Sequence, residues 1–142
     1  MRQKSLMYKV REAGFTLLEL LVVMVIIGLL VGYVGPKYFA QLGKSEIKAA
    51  RAQINAVRKA VDVYRLDTGH YPTQESGLGV LSVAPPNEPK WQGPYLEKQL
   101  PVDPWGQPYG YRIPGEKNEY DVFSYGKDGQ LGGDGENADI VN

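Results

Sequence analysis

The hydrophobic residues of this chain form one long run near the start, followed by shorter periodic patterns. Residues 15–34 are almost entirely apolar, and Glu19 is the only charged side chain among them. A helix rises about 1.5 Å per residue, so this run would be about 30 Å long, which matches the hydrocarbon core of a bilayer. The pattern predicts a membrane-spanning helix that contains one carboxylate. A charge there costs about 3 kcal/mol or more unless it is paired or protonated, so Glu19 needs a partner.

A second helical pattern follows, in which apolar residues alternate at steps of three and four, as in an amphipathic helix. These positions are Ile47, Ala50, Ile54, Val57, Val61 and Tyr64. The opposite face is mostly basic and carries Lys48, Arg51, Arg58, Lys59, Asp62 and Arg65. Simple solvation explains such a face; contact with an acidic surface of a neighbouring subunit is the alternative. Gly35-Pro36 lies between the two patterns and predicts a bend or local melting within one helix of about fifty residues.

The segment from Asp67 to Thr73 ends this helix, because Gly69 can adopt a left-handed cap and Pro72 follows soon after. Thr73, Ser76 and the apolar residues after them predict a short second helix capped by threonine, which ends before Pro85-Pro86. His70 has no cysteine or second histidine to act with. We therefore interpret it as a packing or surface residue rather than a metal ligand or catalytic base.

Residues 85–108 are rich in proline, but they also contain large apolar side chains that can anchor a loop on a core. These are Trp91, Tyr95, Leu96, Leu100 and Trp105. We interpret the segment as an ordered loop that packs on the domain; a peptide or sugar platform is the alternative. Residues 109–113 and 120–125 then alternate apolar with polar positions around a turn, which predicts an antiparallel hairpin.

Composition and charge restrict the functions open to this chain. With 142 residues it has room for one domain beyond the apolar run. It has no cysteine, so disulfides are excluded, and a domain of this size must be held by its core or by a metal. Residues 35–66 hold seven basic and two acidic side chains, whereas residues 67–142 hold five basic and twelve acidic ones. Charge complementarity between subunits is favoured over nucleic-acid binding, since the basic helix has no aromatic platform.

The residues before the apolar run are basic, with Arg2, Lys4, Lys9 and Arg11 against a single acid. An ordinary secretory signal or a plain anchor is the simplest explanation. However, the apolar core is longer than in such signals, contains an acid, and is preceded rather than followed by the small residue. Cleavage between Gly14 and Phe15 would leave the core attached as an N-terminal helix.

Residues 14–22, GFTLLELLV, resemble the type III signal of type IV pilins and of the pseudopilins of type II secretion. The resemblance implies that a prepilin peptidase cuts after Gly14 and methylates the new amine of Phe15. It also implies a partner for Glu19, since in this family the acid meets the charged N-terminus of a neighbouring subunit. Removing one partner of such a buried pair typically costs about 3–5 kcal/mol, so Glu19 would control assembly.

Downstream motifs narrow the resemblance to the major pseudopilins of type II secretion systems. They are LDTGHYPT at 66–73, GL at 77–78, GPYL at 93–96 and DPWG at 103–106. The absence of cysteine agrees, because type IV pilins usually carry a C-terminal cysteine pair. The resemblance implies a calcium site near the C-terminus instead.

The C-terminal segment 124–140 holds four acids, one Asn and several glycines, which suits the six to eight oxygen ligands of Ca²⁺. It lacks EF-hand spacing, and on composition alone a flexible acidic tail is the simpler interpretation. The resemblance favours calcium, with Asp128 and Asp139 as side-chain ligands. Tyr125 and Gln130 would offer carbonyls, and Asp134 is a further candidate.

We therefore expect an α+β, type IV pilin-like fold, in which a long helix packs on a short helix, an ordered loop and a small antiparallel sheet. The expected division is a cleaved leader at 1–14, a transmembrane and filament-core helix at 15–36, and a periplasmic domain at 37–142. The resemblance implies a non-enzymatic subunit of the inner membrane that assembles into a helical filament driving export of folded proteins. Its partners would be further copies, minor pseudopilins, the prepilin peptidase and an inner-membrane assembly platform powered by an ATPase.

Three alternatives remain open at this point. The chain could be a monomeric membrane-anchored, calcium-dependent binding module, or the major subunit of a type IV pilus. An anchored periplasmic enzyme is disfavoured, since the sequence offers no evident pairing of a nucleophile with a base.

Overall fold

The longest element is helix α1, Leu17–Thr68, with 52 residues. The structure is a computed structural model and describes residues 14–142. The helix confirms the single long helix predicted from the two apolar patterns. It continues through Pro36, so the predicted local melting at Gly35-Pro36 is absent. A proline removes one helical hydrogen bond, and here the turns on both sides remain helical.

The chain divides into two units, Met1–Phe39 and Ala40–Asn142. In the described part of the first unit, large apolar side chains are exposed throughout, beginning with Phe15. An 18-residue stretch of α1 has a mean hydropathy of 2.7, and none of it is buried. By length and composition this stretch could cross a membrane. The predicted boundary between 36 and 37 stays a prediction.

The second unit is built on one face of α1. Ala50, Ile54, Val57, Val61 and Tyr64 are all buried, which confirms the predicted amphipathic pattern. Ile47 is only partly buried at the edge of this core.

The predicted short second helix is present as a 3₁₀-helix, Gly77–Leu81. Its first residue, Gly77, has a φ of +56°, a left-handed conformation that glycine adopts readily because it has no Cβ. The hydroxyl of Thr73 accepts the Ser76 N–H at 3.2 Å and closes the preceding turn, so it does not cap the helix itself. Leu78 and Leu81 are nevertheless buried in the core, as expected for an element that packs on the long helix.

Three short antiparallel strands form one sheet in the order β1-β2-β3. Strands β1, Gly110–Arg112, and β2, Asp121–Ser124, form the predicted hairpin. Strand β3, Ile140–Val141, was not predicted; it brings the end of the described chain back beside β2.

The proline-rich loop is ordered, as predicted. The indole N–H of Trp91 donates to the Val80 carbonyl, and the Tyr95 N–H donates to the Leu81 carbonyl, both at 2.7 Å. The Tyr95 ring packs edge-to-face on Tyr64 and on Trp91, with centroids 5.6 and 5.7 Å apart. These contacts support the interpretation of the aromatic residues as packing residues.

Asp103 fixes the end of this loop. It is 3% exposed, and its carboxylate accepts the Trp105 and Gln107 N–H groups at 3.0 and 2.8 Å and the Ser124 hydroxyl at 2.6 Å. One buried carboxylate therefore joins the loop to strand β2.

Replacing Asp103 with Ala should lower the free energy of unfolding by about 3 kcal/mol, because three donors lose their acceptor. Ser124→Ala removes one of the three donors and also the acceptor of the Gly126 N–H at 3.2 Å, so it should cost less, about 2 kcal/mol. Denaturant unfolding of the full chain in detergent micelles, followed by tryptophan fluorescence, measures both. Equal losses for the two variants would contradict this role of Asp103.

His70 joins the end of α1 to the proline-rich loop. Its Nδ1 lies 2.9 Å from the Tyr71 carbonyl oxygen, and its Nε2 lies 2.7 Å from Glu88 Oε2. Both neighbours are acceptors, so the doubly protonated imidazolium satisfies both contacts. The Tyr71 carbonyl and then the Glu88 carboxylate raise the pKa of His70 above its ordinary value of 6.5.

The contribution of His70 to stability should be present in full below about pH 6.5 and be lost as pH rises through the elevated pKa of the folded state. Thermal midpoints of the wild type and His70→Asn between pH 5.5 and 8.5 test this. The difference between the two proteins should shrink toward high pH. A difference that stays constant, or that grows with pH, would rule it out.

Candidate assembly segment and cation loop

The predicted processing site lies at the start of the described residues. Gly14 and Phe15 precede α1, and the Phe15 side chain is 82% exposed. The remainder of the predicted leader, residues 1–13, lies outside the described residues. Because α1 begins at Leu17, Phe15, which follows the bond predicted to be cleaved, is not part of the helix.

Thr16 and Glu19 form a reciprocal cap at the first turn of α1. The Thr16 hydroxyl accepts the Glu19 N–H at 3.2 Å, and Glu19 Oε2 accepts the Thr16 N–H at 2.9 Å and its hydroxyl at 3.0 Å. This is a capping box, which satisfies backbone donors that the helix leaves unpaired. Glu19 was predicted to be functional because of its cost in a membrane, whereas Thr16 was not predicted. The T-x-x-E spacing was the available signal.

The capping box changes what Glu19 can do. Within one subunit its carboxylate already accepts two hydrogen bonds, which replace part of its hydration but do not neutralise its charge. A carboxylate has about four lone-pair sites, which leaves capacity for a cationic amine from another chain. Glu19 can therefore start the helix and still accept a second partner.

The C-terminal segment between β2 and β3 folds back on itself, and we call residues 125–139 the cation loop. Gly126 and Gly133 have φ of +68° and +87°, and a Cβ on either would lie 2.6–2.7 Å from backbone atoms of Asn137. Both positions require glycine for the left-handed conformation and for space. The glycine content noted in the sequence thus builds a closed loop rather than a flexible tail.

Asp139 is the best-placed candidate ligand. Its Oδ2 accepts the Gly132 N–H at 3.0 Å, whereas its Oδ1 is buried and has no hydrogen-bond partner. A buried carboxylate oxygen without a donor is costly, and a bound cation would compensate it. The residues present therefore fit a cation at this oxygen.

The other predicted ligands are less constrained. Asp128 is exposed, and its Oδ1 accepts the Gln130 N–H at 3.1 Å. Asp134 is exposed at the start of a second 3₁₀-helix, Gly135–Asn137, and Tyr125 is 39% exposed. Within residues 14–142, no three His, Cys, Asp or Glu side chains gather as a metal site. Any Ca²⁺ here would depend on carbonyl oxygens as well as carboxylates, which calcium accepts.

Glu136 was not among the predicted functional residues. Its Oε2 lies 2.6 Å from Lys127 Nζ, and this hydrogen bond raises the pKa of Lys127 above its ordinary value. The ion pair closes the loop and occupies one oxygen of Glu136. No local sequence pattern pairs these two residues.

Comparison with known proteins shows the family. A model described as "Type II secretion system (T2SS), protein G" matches residues 37–142, and a prokaryotic N-terminal methylation motif matches residues 9–34. The chain belongs to the type II secretion system protein G family. Curated members match this chain over 80–98% of their own length. "Type II secretion system core protein G" of Pseudomonas aeruginosa is 40% identical over 139 residues, covering 96% of this chain and 98% of the relative.

The protein of the same name from Vibrio cholerae is 46% identical over 135 residues, covering 93% of this chain and 92% of the relative. The crystal structure of the major pseudopilin from the type 2 secretion system of enterohaemorrhagic Escherichia coli matches with a TM-score of 0.59 and 32% identity. That match covers 78% of this chain and 92% of the other. The pilin-like fold and the family inferred from the sequence are thereby confirmed. This is a family of structural pseudopilin subunits, not a family of enzymes.

Proposed function

We propose that this protein is the major structural subunit of a type II secretion pseudopilus, with no enzymatic activity of its own. The observation that carries this is the exposed apolar half of α1 on a chain of the protein G family. Its apolar side chains have no partner within the described part of the subunit. A membrane can cover them before assembly, and the same helices of other copies can cover them in a filament.

The route to the filament begins with processing. A prepilin peptidase would cleave after Gly14 and methylate Phe15, in keeping with the methylation motif at residues 9–34. The subunit would stay in the bacterial inner membrane as a single-pass protein, with its C-terminal domain in the periplasm. Further copies, minor pseudopilins and an inner-membrane assembly platform would then be its partners, and the growing fibre would drive export of folded proteins.

Glu19 would act during assembly. Two of its hydrogen bonds come from Thr16 of the same chain, and the proposed third contact is the positively charged amine of Phe15 on a neighbouring subunit. Such a contact inside an apolar helix bundle sets the register of the two chains. It has a high cost if one partner is removed.

Glu19→Ala should leave cleavage and N-methylation intact but prevent filament formation, because removing one partner of a buried ion pair costs about 3–5 kcal/mol at every subunit. Mass spectrometry of the membrane-extracted protein reports whether the chain starts at N-methylated Phe15. Electron microscopy and secretion assays report on assembly. Glu75→Ala, an exposed acid outside α1, serves as the control and should assemble normally. Normal fibres and secretion by Glu19→Ala would refute the proposed pairing.

We further propose that the cation loop binds one structural Ca²⁺. The unpaired Oδ1 of Asp139 supports this, together with a loop that left-handed glycines fold back on itself. Asp139 and Asp128 would supply carboxylate oxygens, with carbonyls of Tyr125 and Gln130 and a further oxygen from Asp134. The ion would neutralise buried negative charge and hold the loop closed, so its binding free energy becomes stability of the subunit.

Excess EGTA should lower the thermal midpoint of the full chain in detergent micelles relative to excess Ca²⁺. At a Ca²⁺ concentration of about one hundred times Kd the ion would contribute about 2.7 kcal/mol. Asp139→Asn should lose most of this response, while Glu116→Gln, outside the loop, should keep it. Identical midpoints of the wild type in Ca²⁺ and EGTA would contradict the site.

A further inference from the structure

Gly43 is buried, although it lies on α1 well before the main core. Apart from Gly43, the buried residues of α1 begin at Ala50. The group that covers Gly43 is the side chain of Glu136 in the cation loop. A Cβ placed on Gly43 would lie 1.7 Å from Glu136 Oε1 and 2.5 Å from its Cδ. Glu136 therefore rests directly on the helix backbone, in space that only glycine leaves free.

Glu136 is held in this position by its own loop. Its Oε2 binds Lys127 Nζ at 2.6 Å, and its carbonyl accepts the Lys127 N–H at 2.9 Å. Its side chain is 33% exposed, whereas that of Lys127 is 57% exposed. The hydrogen bonds that close the loop therefore hold the Glu136 carboxylate against α1, so its side chain does not rotate freely.

The same turn of α1 has a second contact with the domain. The indole N–H of Trp105 donates to Glu46 Oε2 at 3.0 Å. Gly43 and Glu46 are three residues apart and so lie on one face of the helix. The cation loop and the proline-rich loop thus hold one helical turn together.

We infer that Glu136 seats the cation loop on α1 at Gly43, so that closure of this loop orders the helical turn at residues 42–47. The consequence of this contact rests on the proposed function. In a pseudopilus, the contact would link the cation loop to the helix through which subunits associate. Gly43 is the receiving position and Glu136 the positioning residue.

The first test is a double-mutant cycle on thermal midpoints of the full chain in micelles. Alanine is favoured over glycine inside a helix, so Gly43→Ala alone has a stabilising component. In a Glu136→Ala background it should raise the midpoint by about 4 °C. In the wild-type background this gain should be cancelled or reversed, because the methyl group displaces Glu136. An equal rise in both backgrounds would overturn the inference.

Ala49→Gly is the matched control for helix propensity, because Ala49 is exposed on the same helix. It should lower the midpoint by the same amount whether residue 136 is Glu or Ala. If the midpoint change caused by Ala49→Gly depended on residue 136 as strongly as that caused by Gly43→Ala, the dependence would be a general property of α1. That result would also overturn the inference.

The second test measures order in the turn itself, by hydrogen exchange and mass spectrometry. Glu136→Ala should accelerate amide exchange at residues 42–47 by about tenfold and leave residues 57–61 unchanged. Glu119→Ala breaks an ion pair of 3.2 Å with Arg65, farther along the same helix, and should not affect residues 42–47. Unchanged exchange at 42–47 in Glu136→Ala, or the same acceleration in Glu119→Ala, would contradict the proposal.

The calcium proposal has a separate test: if it is wrong, the wild type has the same thermal midpoint in Ca²⁺ and in EGTA. That result leaves the expected contrast between Glu136→Ala and Glu119→Ala unchanged, because the Lys127 ion pair closes the loop without an ion. If calcium does close the loop, EGTA should accelerate exchange at 42–47 in the wild type.

Discussion

Burial of one face of α1 is the interaction on which the C-terminal domain depends. The chain has no cysteine, and its sheet has only three strands of two to four residues. Such a sheet cannot supply a core by itself. The helix provides the continuous apolar surface, and the 3₁₀-helix, the proline-rich loop and the hairpin all bury side chains against it. The domain is therefore organised around a helix rather than around a sheet.

Buried carboxylates connect segments that longer paired strands would otherwise hold together. Asp103 ties the proline-rich loop to β2, and Asp121, which is 1% exposed, accepts the Glu116 N–H and the Arg112 guanidinium at 2.8 and 2.7 Å. Burial by itself would raise the pKa of Asp121, but these hydrogen bonds lower it below the ordinary value. Each acid stabilises a chain reversal because it satisfies backbone donors that the short sheet leaves unpaired.

The two ends of the described chain use carboxylates in different ways. At the start of α1, Glu19 shares a capping box with Thr16 and keeps capacity for a further donor. In the cation loop, Asp139 has one oxygen with a donor and one without. Each of these two carboxylates can accept a further partner. Under the proposed function, a second chain bound at Glu19 or a cation bound at Asp139 would therefore stabilise the subunit.

The sequence by itself determined the elements whose signals are local. The apolar run, the spacing from Ile47 to Tyr64 and the alternation around residues 109–125 each predict an element, because side-chain direction repeats with a short period in helices and strands. The motif at residues 14–22 indicated a pilin-like precursor, and the motifs from residue 66 to residue 106 narrowed this to the major pseudopilins. The short helix at Gly77–Leu81 was also predicted, but its capping by Thr73 was not confirmed, because the Thr73 hydroxyl bonds within the preceding turn instead.

Only the tertiary structure decided how distant segments meet. The pairing of β3 with β2, the burial of Asp103 against Ser124 and the contact of Glu136 with Gly43 join residues far apart in the chain. Such contacts depend on where the intervening loops close, and no periodic pattern encodes that closure. The family resemblance already indicated Asp139 as a ligand, but only the fold shows that its Oδ1 has no hydrogen-bond partner and that Glu136 binds Lys127.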